Sequence, residues 1–358
     1  MFRHVFVADD INILLMKCWN MQALRFCVGC VHFAIAGALL SNTPMFPAPQ
    51  FIDTNGIRMA VYEQGTGPAV IFVHGFPELA FSWRNQLPAL AGAGFRAIAA
   101  DMRGYGQTDR PDGIDAYRAT ELIADLTGLL DALHLERATF VGHDWGAVLL
   151  WQMAMLKPAR IEKLIALNIP HIPRPSTDPI QLMRQRLGDD FYIVNFQDSN
   201  DADMAFAADP AHFFTMLMRR NQVTRAQFEQ LAPEKKVLSL LKTMQRDKAG
   251  GEALLDAAEL KYYVDAFRNS GFTPAINWYR NWSHNWRSLK GVNPHILVPT
   301  LFIGAADDVV ISPQQIAAMR PLVADLTIEI LEPCGHWTQQ ERPDDVNRLI
   351  IEWLLKRR

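Results

Sequence analysis

Thr139-Phe-Val-Gly-His-Asp-Trp-Gly-Ala147 is the stretch on which the fold turns. Its opening residues are apolar and do not alternate, as in a short strand buried on both faces. From Ala147 onward the spacing of apolar residues becomes helical. Between the two lies Gly142-x-Asp144-x-Gly146, an acid at the apex of a strand-turn-helix corner. Glycine is needed on both sides because so sharp a turn brings strand and helix backbones together and leaves no room for a Cβ. A corner of this kind presents a nucleophile at the end of a sheet, here with Asp where Ser commonly stands. The plainer reading is a tight βα turn with a capping Asp.

Outward from this corner, residues 70–73, 97–100, 164–167 and 301–303 are further short apolar runs, and residues 120–135 and 147–157 have helical spacing. Buried strands alternating with helices predict an α/β chain with a mostly parallel, doubly wound sheet. The pattern breaks once, between residues 172 and 294, where no strand run appears and Met, Arg, Gln, Phe and Trp recur at helical spacing. That break predicts a helical cap inserted between two strands. The expected organisation is an N-terminal extension and linker over 1–49, a core over 50–171 and 295–358, and the cap over 172–294.

Composition narrows the work such a body can do. Of 358 residues, 49% are hydrophobic and 20% charged, with 21 Gly and 21 Pro, which excludes collagen-like, disordered and multi-span membrane chains. A formal net charge of -3 lacks the basic footprint that phosphate backbones require, so a small molecule, and not nucleic acid, is the expected partner. Cys18, Cys27 and Cys30 precede the body and Cys334 is its lone thiol, so no internal disulfide is expected in it. Cys27-Val-Gly-Cys30 has redox spacing but neither a second pair nor metal-spaced histidines. It lies in an uncharged run, residues 26–40, preceded by Arg25 and containing Ala36-Gly37-Ala38 near its end. The run is short for a bilayer span, which takes about 20 residues, and has the length of a signal-peptide core. It starts far from Met1, a difficulty for export that a start at Met16 or Met21 would remove. Membrane contact is therefore expected only through residues 26–40, with a cytoplasmic location if they are not a signal and an exported one if they are. Pro44, Pro47 and Pro49 mark the linker, and the fold begins near Gln50.

Two more loops fit the corner. Val73-His-Gly-Phe-Pro-Glu78 follows a strand, so the backbone N–H groups of Phe76 and Trp145 are candidate oxyanion-hole donors. After the cap, Leu301-Phe-Ile-Gly-Ala-Ala-Asp-Asp-Val309 ends a strand with an acid, Asp307 or Asp308, and Leu331-Glu-Pro-Cys-Gly-His-Trp337 ends the next with His336. Each has a plain reading as a turn or loop residue. The chain order of nucleophile, acid and histidine is nevertheless that of the α/β-hydrolases.

His74-Gly-Phe-Pro-Glu78, Asp101-Met-Arg-Gly-Tyr-Gly106, Gly142-His-Asp-Trp-Gly146 and Ser270-Gly-Phe-Thr-Pro-Ala-Ile-Asn-Trp-Tyr-Arg-Asn281 together resemble the soluble-type epoxide hydrolases, from about Gln50 to the C-terminus. The first two motifs are widespread among α/β-hydrolases and the Asp corner is shared with haloalkane dehalogenases; Asn-Trp-Tyr-Arg-Asn is the specific part. The resemblance implies the α/β-hydrolase fold with a cap, and two cap tyrosines that hold the epoxide oxygen. Tyr279 matches the second. Tyr192, in Asp190-Phe-Tyr-Ile-Val-Asn-Phe-Gln197, matches the first by its spacing to Phe-Gln. Tyr262 and Tyr263 are rivals, and packing in the cap core is the alternative for Tyr192 and Tyr279. Asp308 matches the family acid better than Asp307, by its spacing to Pro313.

The residue types suit the implied chemistry. A carboxylate is fitted to displacement at saturated carbon, giving an ester, which argues against esterase and lipase action. A phenol, with a pKa of about 10, stays protonated at neutral pH and can donate to a departing alkoxide. The resemblance implies that Asp144 attacks, Tyr192 and Tyr279 hold the oxygen, and His336, oriented by Asp308, activates water against the ester. Neither metal nor organic cofactor is required. Phe76, Trp145 and Trp278 are expected as apolar walls, which predicts a hydrophobic epoxide. A haloalkane or haloacid dehalogenase would use the same Asp-His-Asp set, but haloalkane enzymes often place Asn where Phe76 stands and fluoroacetate-type enzymes Arg where Trp145 stands. A noncatalytic α/β-hydrolase binding module commonly lacks part of the triad, and here all three positions are filled. The particular epoxide, the regio- and enantiopreference and the oligomeric state are not legible in the sequence.

Overall fold

The computed structural model describes residues 46–220 and 222–357. Cys18, Cys27, Cys30 and residues 26–40 therefore lie outside the described residues. Short runs of Val, Ile, Phe and Ala can be buried on both faces without stranding a charge, and these runs form the sheet interior. In chain order the strands are β1 (Gln50–Thr54), β2 (Ile57–Gln64), β3 (Ala69–Val73), β4 (Arg96–Ala100), β5 (Ala138–His143), β6 (Ile161–Leu167), β7 (Arg219–Arg220), β8 (Glu252–Ala253), β9 (Thr300–Ala305) and β10 (Leu326–Leu331). Eight of them make one sheet in the order β1-β2-β4-β3-β5-β6-β9-β10. Within this sheet β1 and β2 pair antiparallel, as do β2 and β4, and the other five pairings are parallel. Every residue of β5 and of β9 is buried. This is the mostly parallel, doubly wound sheet that the apolar runs predict, in the α/β-hydrolase form that the resemblance implies.

β3 lies between β4 and β5, so the winding reverses there, and the carboxyl ends of β3 and β5 flank the crevice that such a reversal opens. The helix Trp145–Leu156 leaves β5 within two residues of its end. That is feasible only with glycine at 146, where an added Cβ would lie 2.0 Å from the Val73 carbonyl oxygen.

The insertion between β6 and β9 is helical, from Pro179–Leu187 to Trp282–Ser288. Asp178 and Asp209 cap two of its helices through the N–H groups of Ile180 and His212, with Pro179 and Pro210 opening them. Its interior is aromatic: Phe206 packs on Phe213 at 4.4 Å between ring centroids and Phe267 on Phe272 at 4.7 Å. β7 and β8 add a two-residue antiparallel pair that no apolar run announces. The cap is fastened to the core by Trp278 Nε1 donating to Arg103 O (3.2 Å), Asn281 Nδ2 donating to Ile114 O (2.6 Å), and an Arg84–Glu259 ion pair (2.6 Å). Among the described residues no helix is long and apolar enough to cross a membrane.

Candidate active site

Asp144 sits at the apex of the corner with φ of 51°, a left-handed conformation that costs a non-glycine residue about 1–3 kcal/mol and persists only where surrounding structure enforces it. The enforcement is visible. Val148 N–H donates to Asp144 O at 3.0 Å, and Gly75 is pressed so close that an added Cβ would lie 2.5 Å from the Asp144 side chain. Phe76 N–H donates to Asp144 Oδ1 at 2.8 Å, and the Trp145 N–H also serves this carboxylate. Amides that follow β3 and β5 thus converge on one carboxylate.

The carboxyl ends of three more strands supply the rest. His336 follows β10, Asp308 follows β9 and Asn168 follows β6. His336 Nδ1 is 3.0 Å from Asp308 Oδ2, and His336 Nε2 is 3.7 Å from Asp144 Oδ2. Asn168 Nδ2 donates to Asp308 Oδ2 at 2.7 Å, and Val310 N–H donates to Oδ1 at 3.1 Å. Of the two neighbouring acids it is Asp308 that faces His336; Asp307 Oδ1 instead accepts from Arg225 N–H of the cap at 2.9 Å.

From the cap come Tyr192, on the helix Tyr192–Asp198, and Tyr279, on the helix Thr273–Arg280. Their rings meet edge to face at 5.7 Å, and both line one cavity of about 500 Å³ together with Phe76, Asp144, Asp308 and His336. The two helices are held in register by Gln197 Nε2 donating to Tyr279 O (3.0 Å) and by Arg280, which forms a buried ion pair with Asp203 (2.7 Å) and donates to Phe196 O (3.0 Å). This is the structural work of the Tyr-Arg segment. Tyr262 stacks on Phe81 at 4.2 Å and Tyr263 is fully buried; neither lines the cavity.

The expected walls need correction. Phe76 lines the cavity, but the side chains of Trp145 and Trp278 do not. Trp278 is drawn into the core by its hydrogen bond to Arg103 O, and Trp145 packs against Tyr279, Trp278 and Trp282 at 5.0, 6.0 and 4.9 Å. Met216, Leu217, Phe228, Leu231, Leu238 and Trp337 supply apolar wall instead.

Charges in this site are strongly coupled. Burial pushes the Asp144 carboxyl above its ordinary range, opposed by His336, His143 and the two amides. Burial acts in the same direction on Asp308, but His336 and the Asn168 hydrogen bond outweigh it and hold the carboxyl below its ordinary value. For His336, burial disfavours the cation, yet Asp308 first, then Asp144 and Glu78, lift the imidazole to about 9. Burial raises both phenols, so they remain donors at neutral pH.

Four residues of this site carry no role in the sequence reading. Asn168 holds Asp308. Glu78 and His143, both fully buried, pair at 2.7 Å, and His143 Nε2 lies 2.7 Å from the backbone oxygen of His336. Glu341 reaches the loop of His336. The available signal was a polar residue at the carboxyl end of a buried strand, or inside an otherwise apolar motif.

Residues 68–343 match the family described as alpha/beta hydrolase fold. Epoxide hydrolase A of Mycobacterium tuberculosis is 40% identical over 316 residues, spanning 86% of this chain and 97% of that protein. Bifunctional epoxide hydrolase 2 of Sus scrofa is 35% identical over 333 residues, 89% of this chain but only 59% of that protein's length. The crystal structure of Epoxide Hydrolase A from Mycobacterium thermoresistibile superposes with a TM-score of 0.78 at 36% identity, covering 86% of this chain and 98% of that one.

Proposed function

The chain belongs to the epoxide hydrolases of the α/β-hydrolase fold, and from that membership we propose that it opens a hydrophobic epoxide to a vicinal diol through an ester on Asp144. The observation that carries this reading is the division of labour between the two oxygens of one carboxylate. Oδ1 is held by Phe76 N–H at 2.8 Å, while Oδ2 faces His336 at 3.7 Å in a cavity that two phenols share.

In the first step Oδ2 attacks an epoxide carbon as the C–O bond breaks, and the hydroxyls of Tyr192 and Tyr279 donate to the developing alkoxide. Oδ1 stays with the Phe76 amide and becomes the ester carbonyl, with the Trp145 amide beside it as a second donor for the tetrahedral oxyanion. Ester formation also removes the negative charge of Asp144, one of the groups holding the His336 proton. The imidazole then releases that proton more readily, and its Nε2 can accept one from water attacking the ester. Asp308, fixed by Asn168 and Val310, keeps Nδ1 as the protonated nitrogen and stabilises the imidazolium that forms. The apolar walls favour a hydrophobic substrate.

Single turnover in heavy-oxygen water tests this. The expected result is label in the Asp144 carboxylate and none in the first diol, because that diol takes its new oxygen from Oδ2. Label in the first diol would mean that water attacks the epoxide directly and that Asp144 is no nucleophile.

A further inference from the structure

His336 sits on a loop between β10 and the short helix Thr338–Glu341, and one carboxylate spans it. Gly335 N–H donates to Glu341 Oε2 at 2.9 Å, and Trp337 N–H donates to Oε1 at 3.0 Å. The amides on either side of His336 thus end on the two oxygens of a single side chain. Gly335 suits this grip, since an added Cβ would lie 2.9 Å from Oε1. The helix behind is itself anchored: Thr338 Oγ1 donates to Gly335 O at 3.1 Å, and Gln339 and Gln340 each donate to Glu78 Oε1, at 2.8 and 2.9 Å.

We propose that Glu341 is a positioning residue for the hydrolytic step: by accepting from both amides that flank His336, it holds the imidazole where it can reach Asp308 on one side and the ester on the other. This rests on the roles given above to Asp144 and His336. Glutamine is the discriminating replacement. It keeps the shape of Glu341 but offers one oxygen and one NH2, and an NH2 set against an amide N–H is two donors facing each other. The Glu341→Gln chain must therefore release one of the two amides. Asp308, Asp144, Glu78, His143 and Trp337, which surround the imidazole, are unaltered in that chain.

The test uses styrene oxide as probe. With an ester intermediate, kcat reports its hydrolysis and kcat/KM the steps through its formation. Misplacement of a catalytic group by an ångström can cost on the order of 100-fold, so Glu341→Gln should lose about 10-fold to 100-fold in kcat. KM should fall with it, kcat/KM should hold within about threefold, and intact mass spectrometry should show accumulated ester. Glu341→Asp restores two oxygens at shorter reach and should recover part of kcat with the same split. Because a negative charge near the imidazolium is lost in Glu341→Gln, the acid limb of its kcat profile should move to lower pH. If kcat is unchanged, or if kcat and kcat/KM fall together without ester in both variants, Glu341 only supports the fold and the proposal is overturned. His336→Gln separates the two readings: no adduct on Asp144 there removes the site reading and this proposal with it. An adduct there beside full kcat in Glu341→Gln removes this proposal alone.

Discussion

His336 Nε2 stands 3.7 Å from Asp144 Oδ2, close enough to feel its charge and too far to hydrogen-bond with it. On the opposite side its Nδ1 is within 3.0 Å of Asp308. The imidazole thus lies between two carboxylates of unequal permanence. His336 and Asn168 hold the Asp308 carboxyl below its ordinary value, whereas the proposed ester would consume the charge of Asp144. In the mechanism proposed above, the base would be silenced while the nucleophile is free and released once the nucleophile is spent, which would order the two half-reactions.

This ordering predicts a titration. Asp144→Asn is a neutral, near-isosteric stand-in for the ester, and losing the carboxylate removes one of the charges that stabilise the imidazolium. His336, about 9 in the native site, should titrate lower in the variant when followed by proton NMR of the ring. An unshifted titration would mean that Asp308 alone sets the proton affinity and that the release argument is wrong.

A stability prediction follows from the same group. The His336 pKa is raised on folding, so its contribution is full below the unfolded value of about 6.5 and is lost as pH rises through the folded value. The stability advantage of the native chain over His336→Gln should therefore shrink between pH 6.5 and about 9. Urea denaturation of both chains across that range measures it. A constant difference would place His336 in an uncharged role.

The corner at Asp144 was legible because its requirement is local: glycine on either side is dictated by backbone approach within a few residues. β3, β5 and β9 were legible because burial on both faces leaves an uninterrupted apolar run. β1 escaped for the converse reason, since it is an antiparallel edge strand on which Gln50 and Phe51 are exposed. Asn168, Glu78 and His143 escaped because what gives each a role is a partner far along the chain, 140 residues away for Asn168 and 65 for the Glu78–His143 pair. Trp278 was misread for the same reason: a tryptophan beside a cap tyrosine looks alike whether it fronts or backs the wall, and the oxygen that decides belongs to Arg103, 175 residues distant.

The backbone argument at the corner can be checked directly. Gly146→Ala would place a methyl 2.0 Å from Val73 O, where the obstacle is backbone of a central strand and cannot rotate away. Overpacking of this kind costs about 1–3 kcal/mol or more, and the displaced helix start would pull the Trp145 amide off Asp144. Thermal unfolding should show the loss and activity should fall further than stability does. An alanine chain with native melting would mean the corner is looser than its geometry.

The two cap tyrosines give the sharpest test of the substrate reading. Tyr192 and Tyr279 face the same cavity with their rings 5.7 Å apart, and burial keeps both protonated, so two donors are available to one developing alkoxide. Removing either hydroxyl leaves the other in place. Each Tyr→Phe change should therefore slow ester formation, by about 10²-fold to 10³-fold for loss of a donor of this kind, with little change in melting temperature. The double variant should lose most ring opening. Hydrolysis of an ester already formed should be nearly unaffected, because His336, Asp308 and the amides of Phe76 and Trp145 are unaltered. Tyr262→Phe and Tyr263→Phe are the controls, since neither side chain lines the cavity. Pre-steady-state tryptophan fluorescence separates ester formation from its hydrolysis, and Trp337, which lines the cavity, and Trp145, packed against Tyr279 at 5.0 Å, are near enough to report on it. If Tyr192→Phe behaves like the controls while Tyr279→Phe is crippled, Tyr192 is a packing residue. If neither change slows ester formation, no phenol supports the leaving oxygen, and a halide-displacing use of the same Asp144 becomes the better account.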